Sequence, residues 1–300
     1  MTSDSKNPGG EGSSPDDQSR RDFVALSAAV GLAAATSSVS AAELKVIEED
    51  VEIKTPAGTC DAAFICPATG AHPGVLIWTD IFGLRPTFRD MGRRLAARGY
   101  SVLVPNPFYR SAKAPVLSDV SSFNFQDPSS RAKTQLWTGP INVPGAIEMD
   151  ATAYIGFLDA RPQVNKAKKI GSQGYCMGGP LVMKTAATVP DRVGAGATFH
   201  GGGLVTDKPD SPHLLAPKIK ARMYFAIATS DDMRQPDAKD KLREAFAAAK
   251  VPAEIEVYPG TQHGWCVPDM PAQNGMPIYS KPDAERAWSK LLALYRKALV

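Results

Sequence analysis

From residue 43 onward, apolar residues fall into two alternating patterns, short and nearly continuous β-rich runs between longer stretches with helical spacing. That alternation is the signature of a mostly parallel sheet with helices on both faces, an α/β fold. Val46–Thr55 and the run 62–66, separated by Pro56-Ala57-Gly58, read as an antiparallel hairpin at the sheet edge. Parallel strands are predicted at Val75-Leu76-Ile77-Trp78, Ser101-Val102-Leu103-Val104, Lys169-Ile170-Gly171-Ser172 and over 195–199, 224–228 and 255–257, each short and apolar as a doubly buried strand must be. Helices are predicted over 89–98, 145–159, 237–249 and 283–299, the second with Ile147, Ala151, Ile155 and Leu158 on one stripe. The segment 109–138, with Ser, Pro, Asn and scattered aromatics, has no clear period and is expected to form a lid or wall over a site.

The first forty-odd residues break this pattern. Residues 1–19 are rich in Ser, Asp, Gly and Pro, and then come Ser19-Arg20-Arg21-Asp22-Phe23-Val24, an apolar stretch over 23–35 and the small residues Val39-Ser40-Ala41. A paired arginine, an apolar run and cleavage-type small residues in that order predict a twin-arginine export signal over 1–41, cleaved after Ala41. The apolar stretch is shorter than the roughly 20 residues that span a bilayer, so it reads as a targeting segment for the export machinery, with no stable membrane insertion of the mature chain. The mature chain, 42–300, is expected as one domain in the periplasm or secreted.

Composition narrows the class. With 43% hydrophobic and 22% charged residues the chain can bury a sizeable core, and its 34 basic and 31 acidic residues form no long basic run, which sets nucleic-acid binding aside. Four cysteines must be read against an oxidising compartment. Cys60 and Cys66 lie six residues apart on one predicted strand, at about 3.3 Å per residue, beyond disulfide reach, and read as packing residues. Cys176 and Cys266 fall in two candidate site loops, and a bond between them would abolish thiolate chemistry.

The most informative stretch is Gly174-Tyr175-Cys176-Met177-Gly178-Gly179, directly after one predicted strand and before the helical pattern starting near Leu181. A nucleophile on a sharp strand-to-helix turn has strained backbone angles and close neighbours, so glycines are needed two residues to either side. The helix that follows aims its amides and positive dipole end at the nucleophile, which favours a thiolate. Thr229-Ser230-Asp231-Asp232 follows the strand over 224–228, and Gln262-His263-Gly264-Trp265 follows the strand over 255–257. Nucleophile, acid and histidine in that chain order, each on a loop at the carboxyl edge of the sheet, match an α/β-hydrolase triad of Cys176, Asp232 and His263. Taken singly, Asp232 could cap the helix near Asp237 and His263 could be a turn residue. Asp231 competes with Asp232 for the acid role.

Together these residues resemble the dienelactone hydrolase family over almost all of the mature chain. The nucleophile motif is joined by Asp80-Ile81-Phe82-Gly83 as the first site loop, Arg94-Leu95-Ala96 with Gly99-Tyr100 behind it, and Asp232 to Pro236, Tyr258, His263-Gly264-Trp265 and Ala287-Trp288 in the C-terminal half. The spacing to Pro236 matches the family with Asp232 as acid. The resemblance implies that Asp80 contacts the resting Cys176 and controls its deprotonation, and that the amides of Ile81 and Met177 form the oxyanion hole. Two departures stand out. The family usually has Glu where Asp80 stands, and an arginine shortly after the histidine where this chain has Trp265-Cys266-Val267-Pro268. Arg110 is a candidate anchor for a substrate anion and Trp265 a candidate pocket residue. Phe199-His200-Gly201-Gly202-Gly203 reads as a glycine turn with a packed histidine, or as pocket lining.

The expected activity is hydrolysis of a small-molecule ester or lactone through an acyl-thioester, with no metal and no organic cofactor. A non-catalytic binding protein on the same scaffold would not need the ordered triad, and a thiol redox protein would want a C-x-x-C pair that the chain lacks.

Overall fold

The computed structural model describes residues 43–273 and 275–300; the expected export signal lies outside the described residues. Eight strands form one sheet: β1 (Val46–Thr55), β2 (Gly58–Pro67), β3 (Gly74–Trp78), β4 (Ser101–Pro105), β5 (Ile170–Tyr175), β6 (Val193–Phe199), β7 (Arg222–Ala228) and β8 (Ala253–Tyr258). Their order is β1-β2-β4-β3-β5-β6-β7-β8. The expected hairpin is there, with Thr55 opposite Gly58, and β2 also pairs antiparallel with β4. The other neighbouring pairs are parallel. This is the mostly parallel α/β sheet expected from the pattern, and the α/β-hydrolase fold expected from the order of the motifs.

The chain leaves β3 for β4 on one side and returns to β5 on the other, so successive connections diverge and open a crevice beyond the carboxyl ends of β3 and β5. Those two ends deliver Asp80-Ile81 and Cys176.

Period-2 alternation sorts the strands between two cores. On β3, Leu76 and Trp78 pack on one face with Ile147, Tyr154, Val182 and Phe246, while Val75 and Ile77 pack on the other with Phe88, Leu95 and Leu291. The first face is covered by α3 (Ala146–Ala160), α4 (Gly178–Thr188) and α6 (Ala238–Ala248), the second by α1 (Pro86–Ala96) and α7 (Lys281–Ala298). The predicted stripe of Ile147, Ala151, Ile155 and Leu158 is buried throughout. Cutting one such side chain, for example Phe225 against Phe246 at 5.2 Å between ring centroids, is worth about 3–5 kcal/mol of stability. Among the described residues no helix is long and apolar enough to cross a membrane.

Two α-helices were not expected. The lid segment contains α2 (Pro128–Thr138), whose Asp127 accepts hydrogen bonds from the Ser129 and Ser130 amides as an N-cap. Its interior buries only Thr134 and Trp137, so no apolar period marks it; the signal was Asp127-Pro128, a capping residue followed by proline in the first turn. The second is the six-residue α5 (Thr229–Arg234), which begins directly at the end of β7.

Candidate active site

Cys176 sits at φ +52°, a left-handed conformation that an L side chain adopts only when its surroundings impose it. Its amide donates to the Phe199 carbonyl, and its carbonyl accepts from the amides of Gly179 and Gly202, each at 3.1 Å. The flanking glycines are sterically required. A Cβ on Gly174 would fall inside the Gly178 carbonyl, and one on Gly178 would lie 2.6 Å from the Trp78 oxygen and 2.7 Å from the Thr79 oxygen. That second approach packs the start of α4 directly against the Asp80-Ile81 loop. Met177 caps that helix and Ile81 belongs to that loop, and among the loop and turn hydrogen bonds of the described residues neither amide donates to a protein acceptor. Both are available to an oxyanion.

The loop bearing His263 is tied to the turn after β7 by four hydrogen bonds. The His263 amide donates to Ser230 Oγ at 2.9 Å, the Ser230 amide to the Thr261 carbonyl at 3.2 Å, the Thr229 amide to Thr261 Oγ1 at 3.3 Å, and the Thr229 hydroxyl to the Tyr258 carbonyl at 2.7 Å. Within this frame His263 Nδ1 donates to Asp231, at 2.8 Å from Oδ2 and 3.0 Å from Oδ1. Its ring and Cys176 line the same cleft. Burial alone would lower the His263 pKa, but the charge of Cys176 and the Asp231 carboxylate more than reverse this and hold it up, at about 10. The site thus favours the charged form of His263.

Asp232, the acid expected from sequence, is not on the histidine. Lys239 donates to its Oδ1 at 2.7 Å, on the far side of the turn. The reason is α5: adjacent residues on a helical turn point about 100° apart, so one of the pair faces His263 and the other faces α6.

Asp80 also differs from expectation. It is fully buried and held by Arg85, with Nη1 to Oδ1 at 2.7 Å and Nη2 to Oδ2 at 2.9 Å, and it accepts the Phe82 amide at 2.9 Å. Burial pushes its carboxyl up, against the Arg85 guanidinium and the Phe82 amide, which favour the ionised form. Among the described residues it makes no hydrogen bond to Cys176, and its geometry fixes the loop that carries the Ile81 amide. Arg85 in turn donates to both oxygens of Asp269, each at 2.7 Å. A carboxylate one methylene shorter than Glu is clamped within its own loop instead of reaching the thiol.

Arg110 and Trp265 leave the site as well. Arg110 is paired with buried Asp150 through two hydrogen bonds of 2.7 and 2.8 Å, which also fix the base of the lid, so its charge is not offered to a ligand. Trp265 is fully buried and stacked on Tyr258 at 4.4 Å. His200 proves to be the packed histidine, fully buried at φ +40° with its ring 4.9 Å from that of His263. Burial and the neighbouring His263 keep its pKa well below the ordinary histidine range. All four cysteines are free thiols, and Cys266 faces a separate cavity of about 200 Å³ behind Tyr175 and Phe199.

Above Cys176 lies a cleft of about 420 Å³, walled by Ile81, Phe123, Phe125, Met270 and Ile278. The lid is also tied to the Asp80-Ile81 loop, where Trp137 Nε1 donates to the Ile81 carbonyl at 3.0 Å. Sequence reading missed Trp137, Phe123, Phe125 and Arg85. An aromatic-rich lid was the only signal for the first three.

The sheet order, the strained strand-to-helix elbow after β5 and the loops at the carboxyl edge of the sheet define an α/β-hydrolase fold. Comparison with known proteins agrees. The model of the dienelactone hydrolase family matches residues 60–299, and the chain belongs to that family. It is 27% identical over 290 residues to a protein of Methylorubrum extorquens that carries the name "Putative carboxymethylenebutenolidase", covering 93% of each chain. It is 26% identical over 200 residues to the carboxymethylenebutenolidase of Rhodococcus opacus, covering 66% of this chain and 71% of that one. Among solved structures, a dienelactone hydrolase-like promiscuous phosphotriesterase from metagenomic libraries superposes with a TM-score of 0.68 at 22% identity, covering 85% of this chain and 99% of that one. The dienelactone hydrolase of Anabaena variabilis superposes at 0.56 and 17%, covering 85% and 99%. These two likenesses speak for the fold.

Proposed function

We propose that this protein hydrolyses carboxylic esters or lactones through Cys176, His263 and Asp231 by way of an acyl-thioester. The observation that carries the reading is one cleft lined by Cys176 on its left-handed elbow and by His263, whose other side is held by Asp231. The names of the relatives, carboxymethylenebutenolidases, support a lactone or ester as the substrate.

In the first half-reaction the Cys176 thiolate attacks the carbonyl carbon. A C–S bond forms, and the carbonyl electron pair moves to an oxyanion held by the Ile81 and Met177 amides. Collapse breaks the C–O bond, and the departing alkoxide takes the proton of the His263 imidazolium. With a lactone the alcohol stays tethered to the acyl group. In the second half-reaction neutral His263 deprotonates a water that attacks the thioester; the C–S bond breaks, the acid leaves, and the thiolate-imidazolium pair is restored. Asp231 holds the imidazole orientation throughout and stabilises its charged form.

Export by the twin-arginine route is part of the same reading, supported by Arg20, Arg21 and the apolar stretch that follows. Replacing both arginines with lysine is expected to keep the protein in the cytoplasmic fraction; a periplasmic protein in that variant would rule the route out.

The functional test is hydrolysis of a chromogenic acetate ester and of a dienelactone by the mature protein beside Cys176→Ala. The variant is expected to lose activity by about 10³-fold or more. Activity retained in Cys176→Ala, with the variant folded, would remove Cys176 from the mechanism.

A further inference from the structure

The cleft above Cys176 has a charge pattern that bears on the substrate. Four arginines lie near it or about its lid, and each is already engaged; Arg131, exposed on α2, donates to the Phe125 and Gln126 carbonyls. Arg85 is buried between Asp80 and Asp269, and its five hydrogen bonds go to those carboxylates and the Gly83 carbonyl. Arg110 is held by Asp150. Among the described residues that line the cleft, the basic side chains are His263, already paired with Asp231, and Arg234, which sits at the rim with its side chain 72% exposed, 3.3 Å from the same Asp231. A charge in that position is largely screened by water. The polar groups that complete the lining include the neutral amides of Asn124, Gln126, Gln262 and Gln273.

The apolar wall is better organised than the polar one. Phe82, Phe123 and Phe125 meet in a cluster with centroid distances of 5.0, 5.7 and 4.8 Å, and Phe125 leaves 43% of its surface exposed. Met270 and Ile278 also line the cleft. A flat ring entering the cleft gains aromatic contact with Phe123 and Phe125. A carboxylate entering it loses water without gaining an unpaired buried counter-charge, since His263 is already paired with Asp231 and Arg85 with Asp80 and Asp269.

We infer that this cleft takes an uncharged ester or lactone with an aromatic or similarly flat apolar group against Phe123 and Phe125, and that it discriminates against the same substrate carrying a carboxylate. The inference rests on the hydrolase reading, and it sets this chain apart from the arginine-bearing members of its family at the substrate end and not at the triad.

The test is a matched pair of substrates, phenyl acetate with a para-carboxamide and its para-carboxylate isostere, assayed with the mature protein, Phe125→Ala and Arg234→Gln. The carboxamide is expected to be favoured about tenfold or more in kcat/KM. Phe125→Ala should raise KM for the carboxamide about three- to tenfold. Arg234→Gln should leave the preference standing. A carboxylate turned over as well as or better than the carboxamide would overturn the inference, and loss of that turnover in Arg234→Gln would name the anchor responsible. The same ratio is read independently as dissociation constants on Cys176→Ala protein. If neither compound is hydrolysed by a protein with free Cys176, the hydrolase reading fails, while the binding ratio still decides the character of the cleft.

Discussion

The turn after β5 and the turn after β7 both deliver a side chain to the same crevice, by different physical means. In the first, backbone sterics decide the outcome: the left-handed Cys176, and glycines at 174 and 178 against carbonyl oxygens, leave one geometry for the loop. In the second, the backbone is an ordinary helical turn, and the outcome depends on which of two adjacent carboxylates faces the histidine. Asp231 does, and Asp232 turns to Lys239. A site held by backbone constraint is written in residue type and spacing. A site held by side-chain direction is written in the phase of a helix, and a phase error of one residue moves a carboxylate from one partner to another.

The sharpest way to break this comparison is to neutralise the two carboxylates separately. Asp231→Asn is expected to reduce kcat by about 10²- to 10⁴-fold, because the imidazole loses the partner that sets its tautomer and charge. Asp232→Asn should change it less than about threefold, measured by steady-state hydrolysis. The reverse ranking would mean that the turn rearranges in solution and that Pro236 spacing was the better guide.

Next in size is a stability effect on the first site loop. Arg85→Met leaves the buried carboxylate of Asp80 without its partner and should destabilise the protein by about 3–5 kcal/mol in denaturant unfolding. Lys239→Met, which breaks the half-exposed pair with Asp232, should cost less than about 1 kcal/mol. Equal effects would show that the Asp80 loop is not set by its buried ion pair.

A smaller effect tests the link between lid and reaction centre. Trp137→Phe keeps the ring against Phe108 but deletes the N–H that fixes the Ile81 carbonyl. We expect a roughly tenfold lower kcat with KM changed less than twofold, since the loss falls on alignment of the oxyanion loop and not on ground-state binding. Alkylation of Cys176, which needs no oxyanion hole, should proceed at the wild-type rate.

The last effect is on pH dependence. His263 has a pKa raised from 6.5 to about 10 in the folded chain. Its contribution to stability is therefore fully present below about 6.5 and is lost as pH rises through about 10. Thermal stability of the wild type should fall over that window more than that of His263→Gln. Asp231→Asn removes one of the two groups that raise the pKa and should move the fall to lower pH. A wild-type curve parallel to that of His263→Gln would remove the imidazolium from the resting state.

Most of the scaffold was legible because buried parallel strands and amphipathic helices imprint their periods on the sequence. Each predicted strand falls on an observed one, and the elbow was legible from Gly174, Cys176 and Gly178 alone. What could not be read depends on contacts between distant residues or on direction within one turn. Arg85 sits five residues from Asp80, yet nothing in the spacing marks the two as a buried pair shared with Asp269. Arg110 follows an aromatic pair as a ligand anchor would, but its partner Asp150 lies on a helix forty residues on. Trp265 adjoins the His263-Gly264 pair and still points into the core, because the loop reverses at Gly264, at φ +98°. The lid helix α2 buries two of its residues and so carries no period to detect.

The account stands or falls on a covalent intermediate at one atom. Mixing the mature protein with a neutral aryl ester, quenching in acid within a turnover and locating the added acyl mass by peptide mass spectrometry reads it directly. The account predicts the acyl group on Cys176, in an amount that grows in Asp231→Asn if hydrolysis of the thioester slows more than its formation. An acyl group on Ser230 or another residue, or turnover with Cys176 unmodified at every quench time and alkylated Cys176 still active, would contradict it.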